Sequence, residues 1–503
     1  MVETGDWVTP RLYGKPWFEK PPLFYWGAAL CFKLFGVSEA AARLPSAISA
    51  LLATLALAWL ALRLYGAETA RWLLLLLPTS VGMIGFSHAA ATDMPFSGML
   101  TIAMVAAAVV LGLVPRTATL SLSFAAFTPS TFLASVLFGF FLGLAVLAKG
   151  PAGIILCGGA IFFWALFTKR WRDAFRLFHP AGIITFCVTA LPWYILCARR
   201  NPDFFRIFII EHNFKRYLTP EFQHIQPFWF YLPIVLAGVA PWTIQLVLKF
   251  LLPDSALGKR QTRSPQFFFF AAWIIFTLAF FTLSKSKLPG YILPLIPPLV
   301  LMLLPSTKSA LLSERDRRFE SFTIVLTATG FCLWLVGWAY LASSINQQIP
   351  GKLSGLAIPQ DFIFFLKLLG YSGLLVMTIC SWRRLFKQLL IVTALFAAIL
   401  VECAGRTLLP WEGEIVSTRG FAQGFAEGTH PTITVYSYKL KRSTQYGLEY
   451  YLHRDLKEWD PATPTPGYIL YSQKASAELR WVELGLVPIQ VKGFPDVEVC
   501  LKR

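Results

Sequence analysis

Long apolar runs separated by short polar connections dominate the first four-fifths of the chain. Twelve such runs cover residues 40–62, 72–86, 94–113, 131–148, 151–168, 180–197, 228–251, 267–283, 291–305, 319–341, 362–381 and 388–402. Most are near the roughly 20 residues that a helix needs to cross a hydrocarbon core of ~30 Å. The pattern changes in the last hundred residues. There the apolar residues come in short groups, Thr432-Ile433-Thr434-Val435-Tyr436, Gly467-Tyr468-Ile469-Leu470-Tyr471 and Trp481-Val482-Glu483-Leu484, broken by proline, glycine and charge. Such spacing predicts a small α/β domain. The expected fold is an all-α polytopic membrane protein of about 12 transmembrane helices, with the small domain at its C-terminus. The expected divisions are a loop at 1–39, a multi-span domain at 40–403 and a water-facing domain at 404–503.

Composition excludes a set of soluble domains. The chain is 56% hydrophobic and only 14% charged, with a mean hydropathy of +0.58, more apolar surface than a soluble fold could hide. The net charge of +18 does not point to nucleic acid, because its excess lies in short loops such as Lys169-Arg170-Trp171-Arg172, Lys259-Arg260 and Arg383-Arg384. Those loops fall on alternate connections, the positive-inside pattern. They put residues 1–39, 87–93, 149–150, 198–227, 284–290, 342–361 and 403–503 on the outer side. With Met1 outside and no signal peptide, a further membrane helix is expected upstream of Met1. The eight cysteines are scattered without paired spacing, so they read as small buried hydrophobes.

The outer side collects the residues that could carry chemistry. Glu19 and Lys20 sit in Trp17-Phe18-Glu19-Lys20-Pro21-Pro22-Leu23-Phe24-Tyr25-Trp26. The two prolines prevent a regular helix there, so stiff backbone presents an acid and a base beside aromatic rings. Asp93 opens a span in Thr92-Asp93-Met94-Pro95, where it could equally cap the helix. Lys149 lies in the very short turn Ala148-Lys149-Gly150-Pro151, and Lys285 and Lys287 lie in Ser284-Lys285-Ser286-Lys287-Leu288-Pro289-Gly290-Tyr291. Each lysine alone could snorkel to headgroups, and His212 in Glu211-His212-Asn213 could be an ordinary loop histidine. Together on one membrane face they suit a phosphate held by lysines. A carboxylate to align or deprotonate an acceptor, with cations on the departing phosphate, suits glycosyl transfer from a lipid-phosphate-linked sugar.

The ordered set Thr9-Pro10-Arg11-Leu12, Phe18-Glu19-Lys20-Pro21-Pro22-Leu23, Ala91-Thr92-Asp93-Met94-Pro95, Leu147-Ala148-Lys149-Gly150-Pro151, Pro192-Trp193-Tyr194, Glu211-His212-Asn213-Phe214 and Ser284-Lys285-Ser286-Lys287-Leu288-Pro289-Gly290-Tyr291 resembles the ArnT-like aminoarabinose transferases of lipid A. It also resembles the related protein mannosyltransferase-like enzymes of the GT-C superfamily. The resemblance covers nearly the whole chain. It implies juxtamembrane helices in the first outer loop and a periplasmic C-terminal domain. It implies an inverting glycosyltransferase of the bacterial inner membrane with its active site facing the periplasm. The sugar, 4-amino-4-deoxy-L-arabinose or a hexose or pentose, would come from undecaprenyl phosphate and go to lipid A or another envelope acceptor. No nucleotide cofactor is implied. Lys20, Lys149, Lys287 and Tyr291 are then the candidate ligands of the donor phosphate, and Asp93 is the candidate catalytic acid. Glu19 and His212 match positions that hold a structural zinc in the lipid A enzyme, although zinc normally takes four ligands.

Two departures stand out. Trp17 replaces a tyrosine of the family's motif. The acidic motif of the family's first outer loop also precedes the stretch at which this sequence begins, so the polypeptide as it stands is expected to lack that acid. Protein O-mannosyltransfer keeps the same site with a different acceptor. A polyprenyl-lipid transporter is disfavoured by charges that sit on one face and by the absence of an internal repeat. A non-catalytic scaffold is the remaining alternative.

Overall fold

The computed structural model of the protein describes residues 1–12, 14–115, 130–219, 225–251, 264–304, 314–348, 357–408, 411, 417–428, 433–462, 465–472, 486–489 and 497–502. The basic run at 259–263 and the apolar group at 481–484 lie outside the described residues. Among those described, eight helices are long and apolar enough to cross a membrane, and nine if one bent pair counts as a single span. The chain is a multi-pass membrane protein. It divides into two compact units, residues 1–331 with 375–397, and residues 332–374 with 398–503.

In the first unit a small hairpin, β1 (Arg11–Leu12) and β2 (Lys15–Pro16), precedes α1 (Leu23–Phe35). That helix starts directly after Pro22, because proline lacks the N–H that only interior helical positions need. Ser38 opens α2 (Glu39–Tyr65) by accepting the Ala41 N–H at 3.2 Å. The expected single span at 72–86 is instead two helices, α3 (Ala67–Leu76) and α4 (Val81–Ser87), bent by 61°. Pro78 interrupts the ladder, and the hydroxyls of Thr79 and Ser80 donate back to Leu75 O and Leu76 O at 2.7 and 2.8 Å.

The expected span at 228–251 is broken in the same way around Pro241, into Tyr231–Val239 and Thr243–Leu251. The two breaks satisfy each other: Trp242 Nε1 donates to Leu76 O at 2.9 Å, and Val81 N donates to Ala240 O at 2.9 Å. Free backbone groups at membrane depth need such partners. Next come α5 (Asp93–Val110), α6 (Thr131–Lys149) and α7 (Ala152–Thr168). α5 is the most enclosed span, with 83% of its apolar window buried. It packs against α2 and α6 in a core of small residues and leucines, Ala103, Ala107, Leu57 and Ala145 among them. The expected span at 291–305 is a tight 3₁₀ turn over Pro289–Leu295 followed by a short helix, Ile296–Leu303. Prolines 289, 294, 297 and 298 account for the break.

The second unit contains the outer part of the helix Glu314–Gln348, the start of the helix Gln360–Trp382 and the C-terminal domain. The domain is built on a mixed five-stranded sheet of β3 (Val435–Tyr438), β4 (Lys457–Glu458), β5 (Gly467–Ser472), β6 (Leu486–Ile489) and β7 (Val497–Lys502), in spatial order β4-β3-β5-β7-β6. β3 runs parallel to β4 and β5, and β7 runs antiparallel to β5 and β6. Alternation sorts β5 onto two cores. Tyr468 and Leu470 face the helical residues Phe421, Phe425 and Leu448, while Ile469 and Tyr471 face Trp459 and Cys500.

Candidate active site

The first outer segment is pinned to the bundle before it presents any charge. Asp6 accepts the N–H groups of Val8 and Thr9 at 3.0 and 3.1 Å and pairs with Arg200 at 3.3 Å. Those hydrogen bonds and cations hold its carboxyl below the usual range. Trp193 Nε1 donates to Val8 O at 2.8 Å, and Asn201 Nδ2 donates to Thr9 Oγ1 at 3.0 Å. Phe18 is 4% exposed and packs edge-on to Phe204 at 5.2 Å, within a cluster that includes Leu147, Trp193 and Phe208. Since Phe18 is anchored, the following Glu19-Lys20-Pro21-Pro22 is delivered at a defined place.

The centre of the site is an ion pair between helix ends. Asp93 is the first residue of α5, with Thr92 rather than Asp93 in the capping position. Lys149 is the last residue of α6, which stops at Gly150 (φ +79°), where a side chain would meet Phe208 at 2.9 Å. Lys149 Nζ donates to Asp93 Oδ1 at 2.5 Å, with the two side chains only 8% and 21% exposed. The ammonium also lies 4.5 Å over the ring of Tyr291 and 5.4 Å from that of Phe96. Gly290 permits this approach, since a Cβ there would come within 2.7 Å of the Asp93 carboxyl.

Lys20 is half-buried beside this pair. Burial, reinforced by the charges of Arg216 and Lys149 and opposed by Glu19 and Asp93, lowers it from 10.5 to about 8. Glu19 Oε1 accepts from Arg216 at 3.3 Å. His212 is pushed down by burial, with Glu19, Lys20 and Arg216 within electrostatic reach. Three cations (Lys20, Lys149 and Arg216) therefore meet two carboxylates (Asp93 and Glu19), an excess of one positive charge. An arrangement with that surplus at the end of membrane helices can hold an anion.

Lys287 is used differently. It is 7% exposed, and its ammonium donates to Ser284 O at 2.7 Å and Gln226 O at 3.2 Å. Burial lowers its pKa. With Lys285 N donating to Tyr217 O at 2.9 Å and an antiparallel bridge between Ile225 and Ser286, it clips the 284–291 segment that carries Tyr291 to the neighbouring outer loop. The sequence reading overlooked Arg216 and Phe96. Arg216 was visible only as one base in a basic, aromatic loop, and Phe96 only as an apolar residue one helical turn after Asp93. Glu19 and His212 do come near each other. Glu19, however, takes Arg216 as a partner, and among the described residues no group of three or more His, Cys, Asp or Glu side chains is placed to hold a metal ion. This donor set does not by itself fit the four ligands of a structural zinc.

Residues 1–208 match the family of dolichyl-phosphate-mannose-protein mannosyltransferases. The undecaprenyl phosphate-alpha-4-amino-4-deoxy-L-arabinose arabinosyl transferase of Aeromonas hydrophila is 29% identical over 378 residues, covering 74% of this chain and 66% of that protein. The transferase of the same name from Aeromonas salmonicida is 30% identical over 368 residues, covering 73% and 64%. The matched stretches thus span less than two thirds of these relatives' own length. The crystal structure of ArnT from Cupriavidus metallidurans bound to undecaprenyl phosphate superposes with a TM-score of 0.77 at 24% identity, covering all of this chain and 91% of that one.

Proposed function

We propose that this chain, ArnT-like in sequence and GT-C in fold, is an inverting glycosyltransferase that takes a sugar from undecaprenyl phosphate at the periplasmic face of the bacterial inner membrane. Its acceptor in this reading is lipid A or another envelope glycolipid. The observation that carries the reading is the Lys149 ammonium, held between Asp93 and the Tyr291 ring with Lys20 alongside. An ammonium has three N–H donors. One goes to Asp93, and the others are available to phosphate oxygens. As the acceptor hydroxyl oxygen bonds to the anomeric carbon and that carbon's bond to the phosphate oxygen breaks, the leaving polyprenyl phosphate takes the bonding pair and gains negative charge, and the hydroxyl proton passes to water or to that phosphate. Cations fixed before the reaction stabilise that charge without reorganising. A carboxylate that already accepts from Lys149 at 2.5 Å is a weak base. Asp93 therefore serves to hold the ammonium on the leaving group.

In membrane vesicles supplied with an undecaprenyl-phosphate-linked sugar, with the protein expressed together with the codons upstream of Met1, Lys20→Ala abolishes sugar transfer while the protein is still made and inserted. Normal transfer by that variant would overturn the assignment of Lys20. The match of residues 1–208 to the protein mannosyltransferases favours one second reading, a protein hydroxyl as acceptor. Mass spectrometry of lipid A and of periplasmic proteins from a deletion strain separates the two: unchanged lipid A with lost protein glycans selects the protein acceptor.

A further inference from the structure

A lysine flanked by two tyrosines lies in the second unit, on two antiparallel membrane helices. Tyr340 on Glu314–Gln348 and Tyr371 on Gln360–Trp382 share a hydrogen bond between their hydroxyls at 2.9 Å. The Lys367 ammonium lies 4.9 Å over the Tyr340 ring. The two tyrosines are 55% and 49% exposed on helices long and apolar enough to cross a membrane. At ~1.5 Å per residue, Lys367 sits roughly 10 Å from the Gln360 end of its helix and Tyr340 roughly 12 Å from the Gln348 end of its own. For helices of 23 and 28 residues centred on a hydrocarbon core of ~30 Å, that places both positions roughly 6–8 Å below the hydrocarbon boundary, a depth from which a lysine extends its side chain to the headgroups. Among the described residues no carboxylate pairs with Lys367.

The helices come closest at Gly370, where a Cβ would meet Val336 Cγ2 at 2.5 Å. Deeper along the same face as Tyr340 lie Leu333, 55% exposed, and Gly337, with no atom within 4 Å of the point where a side chain would begin. A polar head of one ammonium and two phenols thus sits above an open apolar strip of the same helix face. A cation without a protein counter-charge in this setting is stabilised by a phosphate.

We propose that Lys367, Tyr340 and Tyr371 bind the phosphate of an anionic phospholipid whose acyl chain lies along Leu333 and Gly337. One phenol donates to the other, so a single phenolic O–H and the three N–H groups of Lys367 remain for the phosphate oxygens.

The test uses the full chain in nanodiscs of equal phosphatidylglycerol and phosphatidylcholine, with retained lipid read by native mass spectrometry. The wild type retains phosphatidylglycerol preferentially, and Lys367→Gln lowers that preference about fivefold, the effect of one lysine near a charged surface. Gly337→Leu, which fills the open space beside that strip and leaves the polar head intact, lowers retention of the same lipid. Four outcomes would overturn the proposal. They are equal retention of both lipids by the wild type, an unchanged preference in Lys367→Gln, unchanged retention in Gly337→Leu, and displacement of the phospholipid by equimolar undecaprenyl phosphate. Tyr371→Phe guards against a purely structural role: equal destabilisation in pure phosphatidylcholine and pure phosphatidylglycerol discs would reduce the phenol pair to a link between helices.

Discussion

Lys149→Met isolates the central ion pair. Methionine keeps an unbranched apolar side chain over the rings of Tyr291 and Phe96 and removes the ammonium that Asp93 accepts from at 2.5 Å. Removing one partner of a buried pair costs ~3–5 kcal/mol, because the other charge is left uncompensated. Asp93 keeps 21% of its side chain exposed, can recruit some water and retains the nearby charge of Lys20, which puts the expected loss near the lower bound, about 3 kcal/mol. In Asp93→Asn/Lys149→Met neither partner of the pair carries a charge, so most of the stability returns. The affinity for undecaprenyl phosphate does not return in either variant, since each lacks a charge-assisted hydrogen bond worth ~1.5–3 kcal/mol, roughly tenfold to a hundredfold in binding. Chemical denaturation of the purified protein, with binding of a labelled polyprenyl phosphate measured in nanodiscs, completes the cycle. Wild-type stability in Lys149→Met would refute the reasoning, as would recovery of phosphate affinity in the double variant.

Three further perturbations test the surroundings of that pair. Because Lys20 is lowered from 10.5 to about 8, its ammonium is lost as pH rises through about 8. Phosphate binding then weakens over that range while the unliganded fold gains stability between about 8 and 10.5; Lys20→Arg, charged to beyond about pH 12, removes the binding limb, and a binding profile flat to pH 10 in the wild type argues against the Lys20 contact. Gly290→Ala places a Cβ 2.7 Å from the Asp93 carboxyl and is expected to cost ~1–3 kcal/mol through overpacking, together with reduced phosphate affinity; a variant unchanged in both measurements contradicts the close approach. Lys287→Met removes the donor to Ser284 O and Gln226 O, so limited proteolysis within 217–290 accelerates, and an unaltered cleavage rate counts against the clasp.

Much of this site was legible along the chain because membrane depth makes charge conspicuous. Lys20, Asp93 and Lys149 stand out against apolar neighbours, and Tyr291 follows the lysine-rich segment at 284–287. Their partners were not legible. Lys149 meets Asp93 across 56 residues, and Glu19 meets Arg216 across 197, and nothing in local spacing links such positions. Lys287 looked equivalent to Lys149 in sequence, yet its ammonium goes to two backbone carbonyls. Hydropathy likewise predicted continuous spans at 72–86 and 228–251. The prolines at 78 and 241 were in view, but the reciprocal bonds that make both breaks tolerable require the two segments to touch.

The amino-acid order alone determined that this protein crosses the membrane many times, and it set the expectation of which side its loops favour and which charged residues lie on the outer face. Those properties follow from local transfer free energies and loop charge, and need no contact between distant residues. Only the tertiary structure decided what each charge does: which lysine pairs with a carboxylate, which clasps a loop and which is left with its pKa lowered to about 8. The reason is physical. The energy of a charge depends on its burial and on neighbours a few ångströms away, and folding chooses those neighbours from remote parts of the chain.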